Sequence, residues 1–330
     1  MRRLVDIAQH AGVSEATVSR VLNGRSGISD STRNAVLTTL DVFGYERPVK
    51  LRGERPRLVG LVLPDLLNPI FPTFAEVVGA ALVKKGFTPV LCTRTSRGVS
   101  EGDYVTMLLG QQVSGVIFAG GAYAQADADH EHYERMLQRK LPVILINAAV
   151  DSLGFSRVST DDAAAVTKAY SHLRSLGHER IGLVVGPPGH VPSQRKVQAF
   201  PGEPNLVERT ILSLEGGHVA AVRLLERGAT GLICASDVLA LGAIRGARNN
   251  GLAVPEDVSV IGYDDSALMT CVDPPLTTIR QPIEEIGQTA VSLLEAQVAG
   301  SPLVSDEVLF EPELVLRRST ASVAHKIGAS

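Results

Sequence analysis

Four polar residues near the start of the chain place hydroxyl, guanidinium and amide groups on or near one face of a short predicted helix: Thr17, Ser19, Arg20 and Asn23. The opposite face carries Val18, Val21 and Leu22 at helical spacing, which predicts that this face is buried. Such polar groups donate and accept hydrogen bonds, so the exposed face is a candidate for contacts with DNA.

The stretch 4–23 predicts two short helices joined by a tight turn. Apolar residues recur at helical spacing in the first helix, at Leu4, Ile7, Ala8 and Ala11. Gly12 can take the left-handed conformation that ends this helix, and Ser14 can cap the next one. Such a pair is a helix-turn-helix, whose second helix can lie in a major groove. An ordinary piece of a helical bundle is the alternative when the pattern is taken alone.

The charge of the chain is unevenly divided. Residues 1–57 contain ten Lys and Arg against six Asp and Glu, a net of +4, which leaves −7 for the remainder of a chain whose total is −3. A basic N-terminal segment followed by an acidic remainder is expected when only the N-terminal segment contacts the phosphates of a nucleic acid.

Composition excludes several classes of protein. A chain of 330 residues exceeds one compact core and predicts two or three domains. Its cysteines, Cys92, Cys234 and Cys271, are far apart and lack CxxC spacing, which indicates reduced thiols rather than a disulfide frame or a zinc site. No apolar run approaches the ~20 residues of a membrane helix, and the N-terminus does not read as an export signal. We expect a cytoplasmic protein without membrane contact.

The order of predicted elements gives three domains and an α/β fold class. Residues 1–45 form a three-helix head, the Pro- and Arg-rich segment 46–57 is a short linker, and 58–330 is the body. In the body, short apolar strands alternate with helices, and this alternation of strand and helix begins again after about residue 160. The pattern predicts two doubly wound parallel sheets with a cleft at the carboxyl ends of their strands. Residues 195–210 are expected to contain a turn, because they include Pro201 and Pro204.

Six motifs in order show that the chain resembles the LacI/GalR family of bacterial transcription regulators over nearly its full length. The motifs are DIAQHAGVSEATVSRVLNG, VLPDLLNPIF, LRSLGHERIGLV, ICASDVLALGAIRGA, VPEDVSVIGYDDSALMTCVDPPLTTIRQP and LVLRRST. The resemblance implies a body like that of the periplasmic binding proteins. Residues 195–210 are shorter than the matching segment of relatives, so they are expected to lack most of a helix and an edge strand.

The resemblance also implies roles for residues of the second helix. Arg20 matches an arginine that donates to a guanine edge, a contact that suits the guanidinium fork. Glu15 and Ala16 match positions that select the operator sequence; Glu15 either accepts from a cytosine amino group or stays solvated. The remaining matches touch phosphate or fix the helix: Ser14, Thr17, Ser19 and Asn23.

In the linker, Leu51 matches a leucine that relatives insert into the minor groove from a hinge helix. The stretch between Pro48 and Leu51 is about one helical turn shorter than in relatives, and Pro48 prevents a helix from continuing through it. Leu51 is therefore a candidate wedge, but an ordinary hinge helix is not expected.

For the cleft, the resemblance implies an effector site built from the ends of several strands. The expected contacts are Asp65, Asn68, Phe71, Asn147, Asp161, Arg195, Lys196, Ser236, Asp237, Asp264 and Gln281. Helix capping is the alternative role for Asp65, Asn68 and Asp161, and core packing for Phe71. Lys196 stands where relatives have an arginine that clasps the ligand, so bidentate recognition would have to come from Arg195. Phe71 and Tyr123 are the candidates for stacking on a sugar ring.

These features predict a dimeric transcription regulator, most simply a repressor, that binds near-palindromic operator DNA. A small effector is expected to control this binding, and a sugar is the first expectation for the effector. No cofactor and no metal are expected; the cluster Asp127, Asp129, His130 and His132 could hold a metal but reads more simply as a solvated loop. Phosphate-binding and hydrolase motifs are absent from the sequence. A solute-binding transport protein or an enzyme on the same fold is the alternative function.

Overall fold

The computed structural model describes residues 4–23, 27–42, 57–94, 98–302 and 305–323. Contacts divide the chain into two units, 1–57 and 58–330, which we call the head and the body. In the head the helices are α1 (Leu4–His10), α2 (Glu15–Leu22) and α3 (Asp30–Val42). Leu51 and the rest of the predicted linker up to residue 56 lie outside the described residues.

The turn between α1 and α2 forms as the sequence predicts. Gly12 has a φ of 66°, in the left-handed region that favours glycine. The Ser14 hydroxyl accepts a hydrogen bond from the Thr17 N–H at 3.2 Å and caps α2. The three helices close over a small apolar core made of Ile7, Ala8, Val18, Val21 and Val36.

The body contains two sheets, each with six strands within the described residues. The first sheet has the order β11-β5-β4-β3-β1-β2, from β1 (Leu58–Leu63), β2 (Thr88–Thr93), β3 (Gly115–Ala119), β4 (Val143–Ile146), β5 (Ser156–Thr160) and β11 (Glu307–Phe310). The second has the order β12-β10-β9-β8-β6-β7, from β6 (Ile181–Val185), β7 (Val207–Arg209), β8 (Gly231–Cys234), β9 (Ser259–Asp264), β10 (Thr277–Arg280) and β12 (Glu313–Val315). Neighbouring strands are parallel, except that β12 runs antiparallel to β10.

Helices cover both faces of each sheet. Their bounds are α4 (Ile70–Lys84), α5 (Glu101–Gly110), α6 (Glu131–Gln138), α7 (Asp162–Ser175), α8 (Val191–Ala199), α9 (Leu214–Glu226), α10 (Asp237–Asn249) and α11 (Ile283–Val298). Alternate residues of a single strand enter different cores: Leu61 packs with α4 and α11, whereas Val62 packs with α5 and α6. Burial on both faces explains why these strands are apolar without alternation.

The chain crosses between the sheets after β5, after β10 and after β11, so each lobe is built from separate segments. The first lobe contains the first sheet with α4–α6 and α11; the second contains the second sheet with α7–α10. The predicted α/β class with a two-lobed, doubly wound parallel body is confirmed.

The expectation for residues 195–210 is wrong in part. Helix α8 runs to Ala199, and β7 forms beyond the two prolines, pairing with β6 from Val207 to Arg209. A short 3-10 turn at Pro204–Leu206 accommodates the prolines and leads directly into the strand. The second sheet therefore keeps its edge strand, although the strand has only three residues.

None of the helices in the described ranges has the length and apolar content required to span a lipid bilayer.

Candidate functional site

A cavity of about 490 Å³ lies between the two lobes, at the carboxyl ends of both sets of parallel strands. Open α/β sheets bind ligands at this edge, because helix N-termini and strand-end side chains converge there. Eight predicted residues line the cavity: Asp65, Asn68, Phe71, Asn147, Lys196, Ser236, Asp264 and Gln281.

Asp264 presents a buried oxygen to the cavity. Its Oδ1 accepts a hydrogen bond from the Gln281 amide at 2.7 Å, and the Gln281 oxygen accepts one from the Thr160 hydroxyl at 2.8 Å. Oδ2 is buried and has no hydrogen-bond partner within ordinary distance in the described residues. Burial, and then the neighbouring Asp237, raises the pKa of Asp264 well above its usual value. A ligand hydroxyl would supply the missing donor.

The Lys196 side chain extends from α8 to the cavity, but its ammonium group already contacts two other side chains. Its ammonium group contacts the Asp162 carboxylate and lies 4.0 Å from the centre of the Tyr263 ring. The side chains of Lys196 and Asp162 are only 4% and 5% exposed. Burial raises the pKa of Asp162, and Lys196 opposes that rise. Sequence reasoning missed Asp162 because its neighbour Asp161 matched the expected position.

Asp161 does not line the cavity. Its Oδ1 accepts hydrogen bonds from the Ala163 and Ala164 N–H groups at 3.0 and 2.9 Å, so it caps α7. Capping, the alternative role considered for this acid, accounts for its position.

Asp237 also lies outside the cavity lining, fully buried beneath Asp264. It accepts hydrogen bonds from the Thr278 hydroxyl at 2.6 Å and the Ser266 N–H at 2.7 Å. Burial raises its pKa to about 6, although both hydrogen bonds act to lower it. Asp237 therefore fixes the turn that carries Asp264, which has a φ of 121°.

Arg195 points away from the cavity and joins the lobes. Its Nη1 and Nη2 donate to Oε1 and Oε2 of Glu307 in the first lobe, both at 2.8 Å. The Ser159 hydroxyl donates to the same carboxylate at 2.6 Å. The planar guanidinium group of Arg195 thus makes a bidentate contact with Glu307 of the other lobe. The expectation that Arg195 lines the effector site is therefore wrong.

Replacing Glu307 by glutamine should lower the free energy of unfolding of the body by about 1–2 kcal/mol, since a partly buried bidentate pair is lost. Burial alone would raise the pKa of Glu307, but hydrogen bonds from Arg195 and Ser159 outweigh it and lower that pKa. The loss should therefore be present at neutral pH and disappear as the pH falls through the lowered pKa. Urea denaturation at several pH values measures it.

Glu295→Gln is the matched control, because Glu295 pairs with Lys85 inside the first lobe and both side chains are more than a third exposed. It should change the unfolding free energy by less than about 0.5 kcal/mol. Equal effects of the two variants would contradict a special role for the contact between the lobes.

The remaining lining residues combine local and cavity-facing roles. The Asp65 Oδ1 accepts from the N–H groups of Leu67 and Asn68 at 2.8 and 3.1 Å, which holds the loop before α4. Ser236 accepts from the Leu239 N–H and caps α10. Asn147 has a φ of 75° at the end of β4. These side chains face the cavity while fixing the loops that form its wall.

Several lining residues were not predicted from the sequence. They are Arg94 at the exposed rim, Gln125, Asp162, His190, Ser193, and the exposed apolar pair Ile211 and Leu212. Burial, and to a lesser extent Lys196, lowers the pKa of His190 to about 4, so this imidazole is neutral at neutral pH. A short bridge between Gln125 and His190 also links the two lobes.

Tyr123 is among the residues that line the cavity, but its side chain is fully buried, which does not support the expectation that it stacks on a sugar. Its hydroxyl accepts a hydrogen bond from the Gly120 N–H at 2.6 Å and donates to the Ile146 carbonyl. Phe71 keeps a partly exposed ring in the cavity.

The four residues considered as metal ligands, Asp127, Asp129, His130 and His132, do not form a metal site in the structure, because the two histidines bond to different partners. His132 pairs with Glu101 at 2.8 Å, and His130 bonds the carbonyls of Ala122 and Gln125. Within the described part of the chain, no three metal-binding side chains converge.

In the head, the surface of α2 offers Glu15, Ala16 and Arg20 as exposed residues. Asn23 is also exposed, but its amide donates to the Ser19 carbonyl at 2.8 Å and so helps to end the helix. The Ser14 hydroxyl lies 2.9 Å from the Thr17 hydroxyl. The residues matched to phosphate contacts therefore also hold the helix in shape.

Comparisons with known proteins match both units. Residues 3–47 match the family described as bacterial regulatory proteins, lacI family, and residues 170–320 match a periplasmic binding protein-like domain. The HTH-type transcriptional regulator MalR of Streptomyces coelicolor is 48% identical over 339 residues, which cover 99% of this chain and 98% of the relative.

Two solved structures are similar over almost the whole chain. A complex of the transcriptional regulator CelR with cellobiose has a TM-score of 0.70 and 28% identity, covering 97% of this chain and 100% of that one. A Lac repressor dimer bound to operator and the anti-inducer ONPF has a TM-score of 0.74 and 27% identity, covering 97% and 99%.

Proposed function

The chain belongs to the lacI family of bacterial regulatory proteins, and from this premise we propose that it is a dimeric, cytoplasmic repressor whose operator binding is controlled by a small sugar in the cleft. The observation that carries the proposal is the union, in one chain, of a helix-turn-helix with an exposed reading face and a two-lobed body with a ligand-sized cavity. A transport protein would have no use for the head. We propose no enzymatic role, since the relative that matches almost the whole chain is named a transcriptional regulator.

Within this proposal, α2 enters the major groove. Arg20 is exposed and donates to a guanine edge, while Glu15 and Ala16 select neighbouring bases. Ser14, Thr17, Ser19 and Asn23 lie at positions suited to phosphate contacts, which set the register without reading sequence. Leu51 remains the candidate wedge in the minor groove.

The cavity supports a sugar as effector. Its volume lies within the usual range of about 300–1,000 Å³ for small-molecule sites. Its lining combines hydrogen-bonding groups at Asp264, Gln281 and Asn147 with the apolar side chains of Phe71 and Leu212. The similar regulator CelR was solved with cellobiose, so a neutral disaccharide is the natural first probe.

The similar Lac repressor was solved as a dimer on its operator, and we propose the same assembly here. Two heads then bind two half-sites of a near-palindrome. A sugar that binds the two lobe arrangements unequally changes the operator affinity.

The test is operator binding by an Arg20→Ala variant. A duplex is selected from a pool of randomised palindromes with the wild-type protein, and its affinity is measured by fluorescence anisotropy over a range of salt concentrations. Arg20→Ala should weaken binding by about tenfold or more, because a bidentate base contact is lost.

Arg139→Ala is the matched control, since it removes one exposed arginine from the body and leaves the head intact. It should leave operator affinity within about twofold, because Arg139 belongs to the body and makes none of the proposed contacts with DNA bases. If Arg20→Ala and Arg139→Ala bind the selected duplex equally, the reading helix is assigned wrongly.

A further inference from the structure

The charged groups around the cleft are unequally available to a ligand. Lys196 is a deep cation, but its ammonium group is held between the Asp162 carboxylate and the Tyr263 ring. His190 contributes no positive charge at neutral pH. Arg94 lines the cavity from an exposed position at the rim. Among the described residues, a ligand that reaches the deep part therefore meets no cation that lacks a counter-charge.

The Asp162–Lys196 contact is well shielded, because both side chains are at least 95% buried. Separating two such groups leaves a buried charge without its partner, which is costly. An anionic ligand would have to compete with the Asp162 carboxylate for the ammonium group at that cost. A neutral ligand can hydrogen-bond around the pair without disturbing it.

Asp264 acts in the same direction. Its Oδ2 is buried and has no hydrogen-bond partner within ordinary distance among the described residues, and Asp264 lines the cavity. A sugar hydroxyl can donate to this oxygen when the carboxyl group is ionised and accept from it when the group is protonated, whereas an anionic oxygen can only accept and so fits only the protonated form. Hydroxyl donors are thus favoured over anions at this position.

Resting on the proposed role of the cleft as an effector site, we propose that the Asp162–Lys196 pair sets its charge selectivity. The pair admits uncharged polyhydroxylated ligands and excludes sugar phosphates and sugar acids. Asp162 is the residue that determines this selectivity, because it neutralises the only lysine among the lining residues in the described chain.

Asp162→Asn should release Lys196 for an anion. Binding of glucose 6-phosphate, glucuronate, glucose and cellobiose is measured by isothermal titration calorimetry on the full-length wild type and variant, without DNA. The wild type should bind no anionic probe measurably. The variant should bind at least one anionic probe measurably, with a dissociation constant at least about tenfold below that of the weakest binding the titration detects, because a charge-assisted hydrogen bond becomes available.

Asp161→Asn is the matched control, since it makes the same chemical change one residue away, at the cap of α7. It should gain no anion binding. The double variant Asp162→Asn, Lys196→Gln should lose the gain, and circular dichroism with thermal melting confirms that each variant is folded.

Anion binding by the wild type as tight as its binding of neutral sugars would overturn the inference, as would an Asp162→Asn variant that gains no more than Asp161→Asn. A gain in Asp162→Asn supports it even if neither neutral probe binds the wild type, in which case the sugar proposal is the one that fails. Operator binding is measured separately, so failure of the repressor assignment is distinguishable from failure of the charge selectivity.

Discussion

Gly242→Ala should lower the free energy of unfolding of the body by about 3 kcal/mol, because the added methyl group has no space. A Cβ at Gly242 in α10 would lie 2.1 Å from the Leu214 carbonyl oxygen and 2.8 Å from the His218 nitrogen, both backbone atoms of α9. Gly217 makes the reciprocal approach from α9, with its Cβ position 2.2 Å from the Leu239 carbonyl oxygen. Backbone atoms cannot rotate away, so the two helices must separate.

Gly79→Ala is the control, and it should have the opposite sign. Gly79 lies in the interior of α4, and a Cβ there meets nothing within 4 Å. Alanine should stabilise the helix by about 1 kcal/mol, since glycine loses more backbone entropy on folding. Urea denaturation followed by circular dichroism compares the two variants. A loss below 1 kcal/mol for Gly242→Ala would show that the crossing of α9 and α10 is looser than described.

Tyr123→Phe should lower the free energy of unfolding by about 2 kcal/mol without changing the size of the core. The lost hydroxyl leaves the Gly120 N–H and the Ile146 carbonyl unpaired in a buried position. The ring contacts with Phe118 and Tyr133 are kept. Because Gly120 lines the cavity, ligand affinity should fall together with stability.

Tyr170→Phe provides the comparison. Its ring packs edge-on against Phe200 at 5.6 Å, but its hydroxyl makes no hydrogen bond with the described part of the chain. Its removal should change stability by less than about 0.5 kcal/mol. Both variants delete one tyrosine hydroxyl, and only that of Tyr123 is fully buried with hydrogen-bond partners, so equal losses would contradict the anchoring role of Tyr123.

The elements that the sequence predicted well are those with a strong apolar signal. Runs such as 58–63 and 115–119 are buried on both faces and read as parallel strands. Strands β5 and β10 have a weaker apolar signal because they contain buried serine and threonine, whose hydroxyls bond to side chains distant in sequence. Thr160 bonds Gln281, and Thr278 bonds Asp237. The local pattern of apolar residues does not reveal such partners, because they are distant in the sequence.

The sequence predicted which strand ends form the cavity. For Asp161 and Arg195, the residue that lines the cavity is instead the next one in the chain. Asp161 and Asp162 are chemically identical, and only the start of α7 decides that the first caps the helix while the second enters the cavity. Adjacent residues on a helix point in different directions, so Lys196 faces the cleft and Arg195 faces Glu307. Glu307 is 112 residues from Arg195, which explains why the pair was not foreseen.

The most direct test of the central claim is a titration of a selected palindromic duplex with the full-length protein, in the absence and presence of a neutral disaccharide that raises its melting temperature. We predict specific binding that weakens steeply with salt and an operator affinity that changes by about 5–150-fold when the sugar is present. Failure to select any duplex at low salt, or an affinity unchanged by every sugar that stabilises the protein, would contradict the assignment as an effector-controlled repressor.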